Sequence, residues 1–343
     1  MYKINFEQPV HVHFIGIGGI SMSGLAEVLL EEHFTISGSD NKRSPLTEQL
    51  EKAGVTIFYG QKASNIIEGI DVVVYTAAIH ADNEEYQAAV QKGLPMLSRA
   101  ELLGQLMTNY DTPIAVSGTH GKTTTTSMLS HILLSAEMDP TISVGGILKA
   151  IGGNIRVGNS EIFLTEACEY TNSFLHFFPK IGVILNIDED HLDFFKDLAD
   201  IRHSFRKFAE LLPADGTLVI NGEIPELHEI TDGLACRVVT YGPDSSYDYS
   251  ATNILHDQIG EASFDFVKNG EFVTRIALSV NGDHNVSNAL AALAVADILK
   301  IDPKTAGQGL KDFHGTNRRF EYKGEFDGVT VIDDYAHHPT EIT

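Results

Sequence analysis

Short runs of β-branched and aliphatic residues alternate along the chain with longer stretches whose apolar positions recur at helical spacing. From Val10 this pattern predicts strands over 12–15, 34–37, 56–59 and 72–75, separated by helices over 21–32, 45–53 and 83–92. A last unit of the same kind starts at 95–101, and residues 109–113 (Asn-Tyr-Asp-Thr-Pro) read as a linker. Strands and helices in this order predict a doubly wound, Rossmann-like α/β domain.

A second α/β series follows, with strands expected at 114–117, 162–165, 183–187 and 217–220 and helices at 123–136, 201–211 and 286–299. Runs at 262–267 and 272–280 flank Asn269-Gly270, a dipeptide suited to a type I′ hairpin, so an antiparallel patch is expected on this domain. After Phe313 the pattern changes, and a strand at 329–332 reads as the entry to a third α/β domain that stops almost at once. The expected domains are therefore 1–108, 109–314 and an incomplete 315–343. Neither an internal repeat nor a low-complexity segment interrupts them.

Composition narrows the function classes. The 343 residues are 43% hydrophobic and 21% charged, an ordinary globular balance that excludes disordered and fibrous classes. With 24 basic and 47 acidic residues the formal charge is −23, which disfavours nucleic acid and anionic membranes as partners and requires any anionic ligand to be held by a local site. Two cysteines, no signal-like N-terminus and no long apolar run predict a reduced, cytoplasmic protein.

Two glycine clusters carry the candidate chemistry. Gly16-Ile17-Gly18-Gly19 directly follows the first strand and opens a helix, where backbone N–H groups receive a pyrophosphate. Gly16 and Gly18 match the first two glycines of a dinucleotide fingerprint, but the third falls on Ser21, so a plain tight turn stays open as a reading. Asp40, at the end of the second strand with Asn41 beside it, is placed to meet a ribose hydroxyl. The second cluster, Gly118-Thr119-His120-Gly121-Lys122-Thr123-Thr124, ends as a Walker loop ends and predicts a nucleoside-triphosphate site. There Lys122 neutralises phosphate and Thr123 reaches Mg2+. The run Thr123–126 is a poor helix interior and argues against a purely structural origin.

A metal-assisted phosphate site needs acids, and the tips of the strands at 162–165 and 183–187 supply them. Glu166 and His191 are the favoured metal ligands, while Asp188, Glu189, Asp190 and Asp193 read as solvated acids capping the next helix. His284, Asn285 and Asn288 open a later helix and offer polar groups to an adenine edge, and Arg318-Arg319 are candidates for a γ-phosphate. Asn285 as a helix cap and the two arginines as rim charges are the plainer alternatives. Two phosphate sites in one chain point to kinase-like or ligase chemistry, because a nicotinamide-dependent oxidoreductase would need only the first.

Six segments in order, GIGGISMSGLA (16–26), GTHGKTTTT (118–126), EACEYTNSF (166–174), NIDEDHLD (186–193), GDHNVSNALAA (282–292) and GTNRRFEYKG with DDYAHHPTE (315–341), resemble the Mur ligases of peptidoglycan synthesis. The resemblance implies that ATP phosphorylates the carboxylate of UDP-N-acetylmuramate and that the amine of L-alanine displaces the phosphate. It places Lys122 on the γ-phosphoryl group, Thr123 and Glu166 on Mg2+, and His191 on a second Mg2+. Gly118, Thr119, His120, Gly121, Thr124, His284, Asn285, Asn288 and Arg319 would meet ATP, and Gly16, Gly18, Gly19, Asp40 and Asn41 the UDP end. Lys207 is not assigned the lysine carbamate found in many members. A related ligase acting on a muramoyl peptide is the nearest alternative. The family's C-terminal domain, which closes over ATP, is nearly absent after Asp334, so residues 1–343 are expected to bind UDP-sugar and ATP with little turnover.

Overall fold

Strand β1 (His11–Ile15) is buried at four of its five positions, as a strand covered on both faces must be. It is the first element in the computed structural model, which describes residues 2–258, 260–316, 321–326 and 328–334. Helix α1 (Ile20–Glu31) follows and turns Met22, Leu25, Ala26, Val28 and Leu29 inward. Then come β2 (Thr35–Asp40), α2 (Pro45–Lys52), β3 (Thr56–Tyr59), β4 (Val72–Tyr75), α3 (Glu84–Gln91), β5 (Met96–Ser98) and α4 (Arg99–Met107). The five strands pair in parallel in the order β3-β2-β1-β4-β5. The order reverses at β1, so the loop leaving its carboxyl end opens at the topological switch point where such folds take ligands.

Clustering of backbone contacts gives two compact units, one of Met1–Tyr110 with Asn154–Val157 and His176–Phe178, the other of the remaining residues. The second begins on β6 (Thr112–Ser117) and α5 (Lys122–Ser135). It continues through β7 (Thr141–Leu148); β8 (Gly153–Arg156) belongs from residue 154 on to the first unit, and the second resumes with β9 (Ile162–Ala167), β10 (Ile181–Ile184), α6 (Leu198–Glu210), β11 (Thr217–Asn221), α7 (Leu227–Thr231) and β12 (Arg237–Gly242). Then follow β13 (Tyr249–His256), β14 (Glu261–Lys268), β15 (Glu271–Asn281), α8 (Asp283–Ile298), α9 (Pro303–Lys311), β16 (Glu321–Phe326) and β17 (Val329–Asp333). Within this unit the sheet order is β15-β14-β13-β12-β11-β10-β6-β9-β7, with β16 and β17 paired separately. β6 lies between β10 and β9 and runs parallel to both, so the loops after these three strands emerge at the same end.

Several expectations change. Residues 109–113 are not simply a linker: pairing of β6 with β9 begins at Thr112, and Pro113 is tolerated at the strand's start. The strand expected at 183–187 stops at Ile184, because Asn186 turns its peptide and side chain to the loop after β6. The strand near 329–332 is preceded by β16 and forms an antiparallel ribbon with it. The Asn269-Gly270 hairpin appears as expected, with φ of 51° and 79°, both positive as a type I′ turn needs.

The core of the second unit is built on α8, which is buried continuously from Ala289 to Ala296 and packs with Ile114, Val116, Leu129 and Ile132. A helix apolar on all sides belongs in an interior. Among the described residues no helix is long and apolar enough to cross a membrane. Leu290→Ala should lower the stability of this unit by about 2–5 kcal/mol, seen as an earlier urea midpoint. Leu255→Ala, at a site 63% exposed, should stay within about 0.5 kcal/mol of the parent.

Candidate active site

Of the described helices with eight or more residues, five start on a side-chain cap: Ser44, Asn83, Ser98, Asp197 and Asp302 each accept a first-turn N–H. The other three, α1, α5 and α8, begin at Gly19, Gly121 and Gly282 with no side-chain cap. Their first-turn N–H groups are left for another acceptor, and the helix dipole adds positive potential there. Two of them, α1 and α5, are the helices that the two glycine clusters open, and α8 follows the single Gly282.

At α5, Gly121 holds φ of +81°, and a Cβ there would lie 2.6 Å from the Asn288 side-chain oxygen, so glycine is required and the loop lies against the start of α8. Lys122 projects from the first turn and donates to the carbonyls of Gly118 (2.5 Å) and Thr119 (3.0 Å) and to Glu169 Oε2 (2.9 Å). Glu169 is 2% exposed. Thr123, the next residue, donates its hydroxyl to Glu166 Oε2 at 3.1 Å, and the other Glu166 oxygen accepts the Gly145 N–H at 2.5 Å. Thr124 is half-buried on the same turn, whereas Thr125 and Thr126 are buried in the core, so the second half of the threonine run is packing.

The loop after β10 is clasped to the same turn. Asn186 accepts the His120 N–H (2.8 Å) and donates to the His120 carbonyl (3.1 Å), and Asp188 donates its N–H to the Thr119 hydroxyl (2.9 Å). His120 Nε2 lies 3.4 Å from Asp188 Oδ2. Asp188, Glu189, Asp190 and Asp193 are therefore not caps: Asp197 caps α6, and Asp193 instead accepts the Tyr170 hydroxyl at 2.8 Å, which pushes that phenol's pKa up. His191 holds a left-handed φ of 54°, lies against the Tyr170 ring at 4.5 Å with the planes tilted by 35°, and points Nε2 toward Glu169 Oε1 at 3.7 Å.

Asn285 and Asn288 are buried near the start of α8, where Asn288 donates to Asn285 (3.1 Å) and Asn285 to the Asn281 carbonyl (2.7 Å). Asn285 is thus inside the helix, and Gly282 holds the cap position. Desolvation of His284 holds its imidazole below the usual pKa, outweighing Asp334 and Asp283. Arg319 lies outside the described residues. In the first unit, Gly16 and Ile17 donate to the Ser39 carbonyl at 2.9 Å each, and Gly18 donates to Asp40 Oδ2 at 2.9 Å. Gly18 has no room for a side chain, since a Cβ would meet the Asp40 carboxylate at 2.8 Å. Gly19 caps α1 and Asn41 is exposed beside Asp40.

The structure thus brings together Gly118, Thr119, His120, Gly121, Lys122, Thr123, Glu166, His191 and Asn288, and separately gathers Gly16, Gly18 and Asp40. Sequence reasoning missed Glu169 as the partner of Lys122 and Tyr170 as the support of His191. Spacing alone offered only that Glu169 follows Glu166 by three residues.

A Rossmann-like unit joined to a unit with a Walker-type loop defines a two-part nucleotide-binding α/β protein. Residues 11–111 match the Mur ligase family, catalytic domain, and residues 116–296 match the Mur ligase middle domain. Over all of this chain and 74% of the relative, the sequence is 61% identical to UDP-N-acetylmuramate--L-alanine ligase of Agathobacter rectalis. The solved UDP-N-acetylmuramate-alanine ligase of Thermotoga maritima is 32% identical, with a TM-score of 0.80 over 97% of this chain and 76% of that one. UDP-N-acetylmuramate:L-alanyl-gamma-D-glutamyl-meso-diaminopimelate ligase from Neisseria meningitides is 31% identical, with a TM-score of 0.81 over 91% of this chain and all of that one. The chain belongs to the Mur ligase family.

Glu169→Gln should loosen Lys122, and a double-mutant thermal cycle with Lys122→Met should return a coupling inside about 0.5–3 kcal/mol. Additive effects would mean that the two side chains do not support one another.

Proposed function

We infer that this protein is the ligase that joins L-alanine to the carboxylate of UDP-N-acetylmuramate with conversion of ATP to ADP and phosphate. The observation that carries the reading is the loop after β6, with its open helix end, half-buried Lys122 and neighbouring Glu166, in a chain 61% identical to a relative of that name. A carboxylate is a poor acyl donor because oxide is a poor leaving group. Its oxygen attacks the γ-phosphorus, the bond to the bridging oxygen breaks, and ADP leaves. The alanine amine then attacks the acyl carbon, phosphate departs, the amide forms and a proton is released.

The residues divide this work. Lys122 neutralises the transferring group, and the first-turn N–H groups of α5 receive phosphate oxygens with Gly118, Thr119, His120, Gly121 and Thr124 around them. Entry of ATP exchanges the Lys122 ammonium from Glu169 and two carbonyls to phosphate oxygens. The Thr123 hydroxyl and Glu166 carboxylate, 3.1 Å apart, are hard oxygen donors that fit Mg2+, and His191 with Glu169 offers a second group. Mg2+ bound there would screen the charge between phosphate and carboxylate. His284, Asn285, Asn288 and Arg319 would contact the nucleotide. Gly16, Gly18 and Gly19 would take the diphosphate of the UDP-sugar once Asp40 turns from Gly18 toward the ribose, with Asn41 beside it. ATP and UDP-sugars are cytoplasmic metabolites, which supports a cytoplasmic site of action.

In the intact chain, ADP release should require UDP-N-acetylmuramate and an amine together, run faster with L-alanine than with glycine or L-serine, and stop on chelation until Mg2+ is restored. Release independent of the UDP-sugar would overturn the reading. Faster release with the tripeptide L-alanyl-γ-D-glutamyl-meso-diaminopimelate would move the assignment to a peptide-adding ligase.

A further inference from the structure

Beneath the first glycine loop lies a chain of polar side chains that the functional reading leaves unused. His13, at the centre of β1, and Glu85, in the first turn of α3, are both 0% exposed and meet at 2.7 Å through His13 Nε2 and Glu85 Oε1. The other Glu85 oxygen accepts the Ser39 hydroxyl at 2.6 Å. His13 Nδ1 lies 2.8 Å from Ser37 Oγ, which His11 Nε2 also reaches at 2.8 Å. These four contacts are consistent with a relay in which His11 donates to Ser37, Ser37 to His13, and His13 and Ser39 both donate to the Glu85 carboxylate. Burial holds the pKa of His11 below its usual value, in keeping with a neutral ring.

A carboxylate that is 0% exposed is an expensive way to gain stability, since apolar residues of similar size commonly do as well. Its position shows what else it does. Ser39 is the residue whose hydroxyl Glu85 holds and whose carbonyl accepts the N–H groups of Gly16 and Ile17, and Asp40, which accepts from Gly18, is its neighbour. The start of α3 is itself anchored, because Asn83 accepts the N–H of Glu85 at 3.0 Å. Helix, carboxylate, hydroxyl and loop therefore form one connected path.

We propose that Glu85 is a positioning residue for the UDP-sugar: through Ser39 it holds the Gly16–Ile17 turn in the shape that receives the diphosphate. This rests on the reading of that loop as the UDP site. The role is geometric and does not depend on the charge. A glutamine at 85 can accept from Ser39 and donate to His13 while every proton toward His11 reverses its direction, with no heavy atom displaced. A leucine there fills the volume and leaves the Ser39 hydroxyl and His13 Nε2 without the partner that Glu85 gave them.

The test is calorimetric titration of UDP-N-acetylmuramate and, separately, MgATP into Glu85→Gln, Glu85→Leu, Ser39→Ala and Gly18→Val forms of the full chain, with melting followed alongside. Glu85→Gln should bind the UDP-sugar within about threefold of the parent, whereas Glu85→Leu and Ser39→Ala should weaken it about tenfold and leave MgATP unchanged. UDP-sugar binding at the parent level in Ser39→Ala and in folded Glu85→Leu would overturn the proposal, whatever their melting points. If Glu85→Leu fails to fold, Ser39→Ala decides alone. Loss of UDP-sugar binding in Gly18→Val with none in the other variants defeats this inference only; parent-like binding in Gly18→Val defeats the reading of the loop itself.

Discussion

The ion pair between Lys122 and Glu169 ties the second unit's site together. Its carboxylate, 2% exposed, comes from the segment after β9, and its ammonium comes from the turn after β6. The same ammonium holds the carbonyls of Gly118 and Thr119, and the same turn is clasped by Asn186 and Asp188 from the segment after β10. Three loops are thereby registered to within hydrogen-bonding distance before any nucleotide arrives. Buried pairs of this kind add little net stability, so the gain lies in a lysine held where a phosphate can claim it.

The two units solve one electrostatic problem in the same way. A chain of charge −23 does not draw phosphates by its overall field, and on the proposed function the uncapped starts of α1 and α5 would supply amides for them instead. A carboxylate already sits beside each glycine loop: Asp40 accepts from the Gly18 N–H, and Glu169 accepts from the Lys122 ammonium. On the proposed function, ligand binding would exchange one anion for another and keep the Gly18 amide and the Lys122 ammonium paired. The buried His13–Glu85 contact extends this logic inward by fixing the strand end that carries Asp40.

How much of this was legible in the amino-acid order follows from the range of each interaction. The four parallel strands expected at 12–15, 34–37, 56–59 and 72–75, the Asn269-Gly270 turn and the Gly121-Lys122-Thr123 turn depend on neighbours in sequence, and they stand within a few residues of where the pattern predicts them, whereas the strand expected at 183–187 is observed at Ile181–Ile184. β7 was hidden because Gly145-Gly146 interrupts its apolar run; Gly145 is there because a side chain would strike Glu166 at 2.8 Å. Helix α9 carries Gly307 and Gly309, which weaken its pattern, yet Gly309 fits against the backbone of Ile132, where a Cβ would lie 2.6 Å from its Cα. Glu169 was passed over in favour of Glu166 because its partner lies 47 residues away. The acids at 188–193 were misread as caps because the true cap, Asp197, follows a further bend that spacing does not reveal.

The account stands on Lys122 serving ATP alone while the glycine loop of the first unit serves the UDP-sugar. The most direct test is a pair of calorimetric titrations of Lys122→Ala, one with MgATP and one with UDP-N-acetylmuramate. The account predicts that MgATP affinity falls by at least about tenfold while UDP-N-acetylmuramate binds as it does to the parent. Unchanged MgATP affinity, or an equal loss of both ligands, would contradict it.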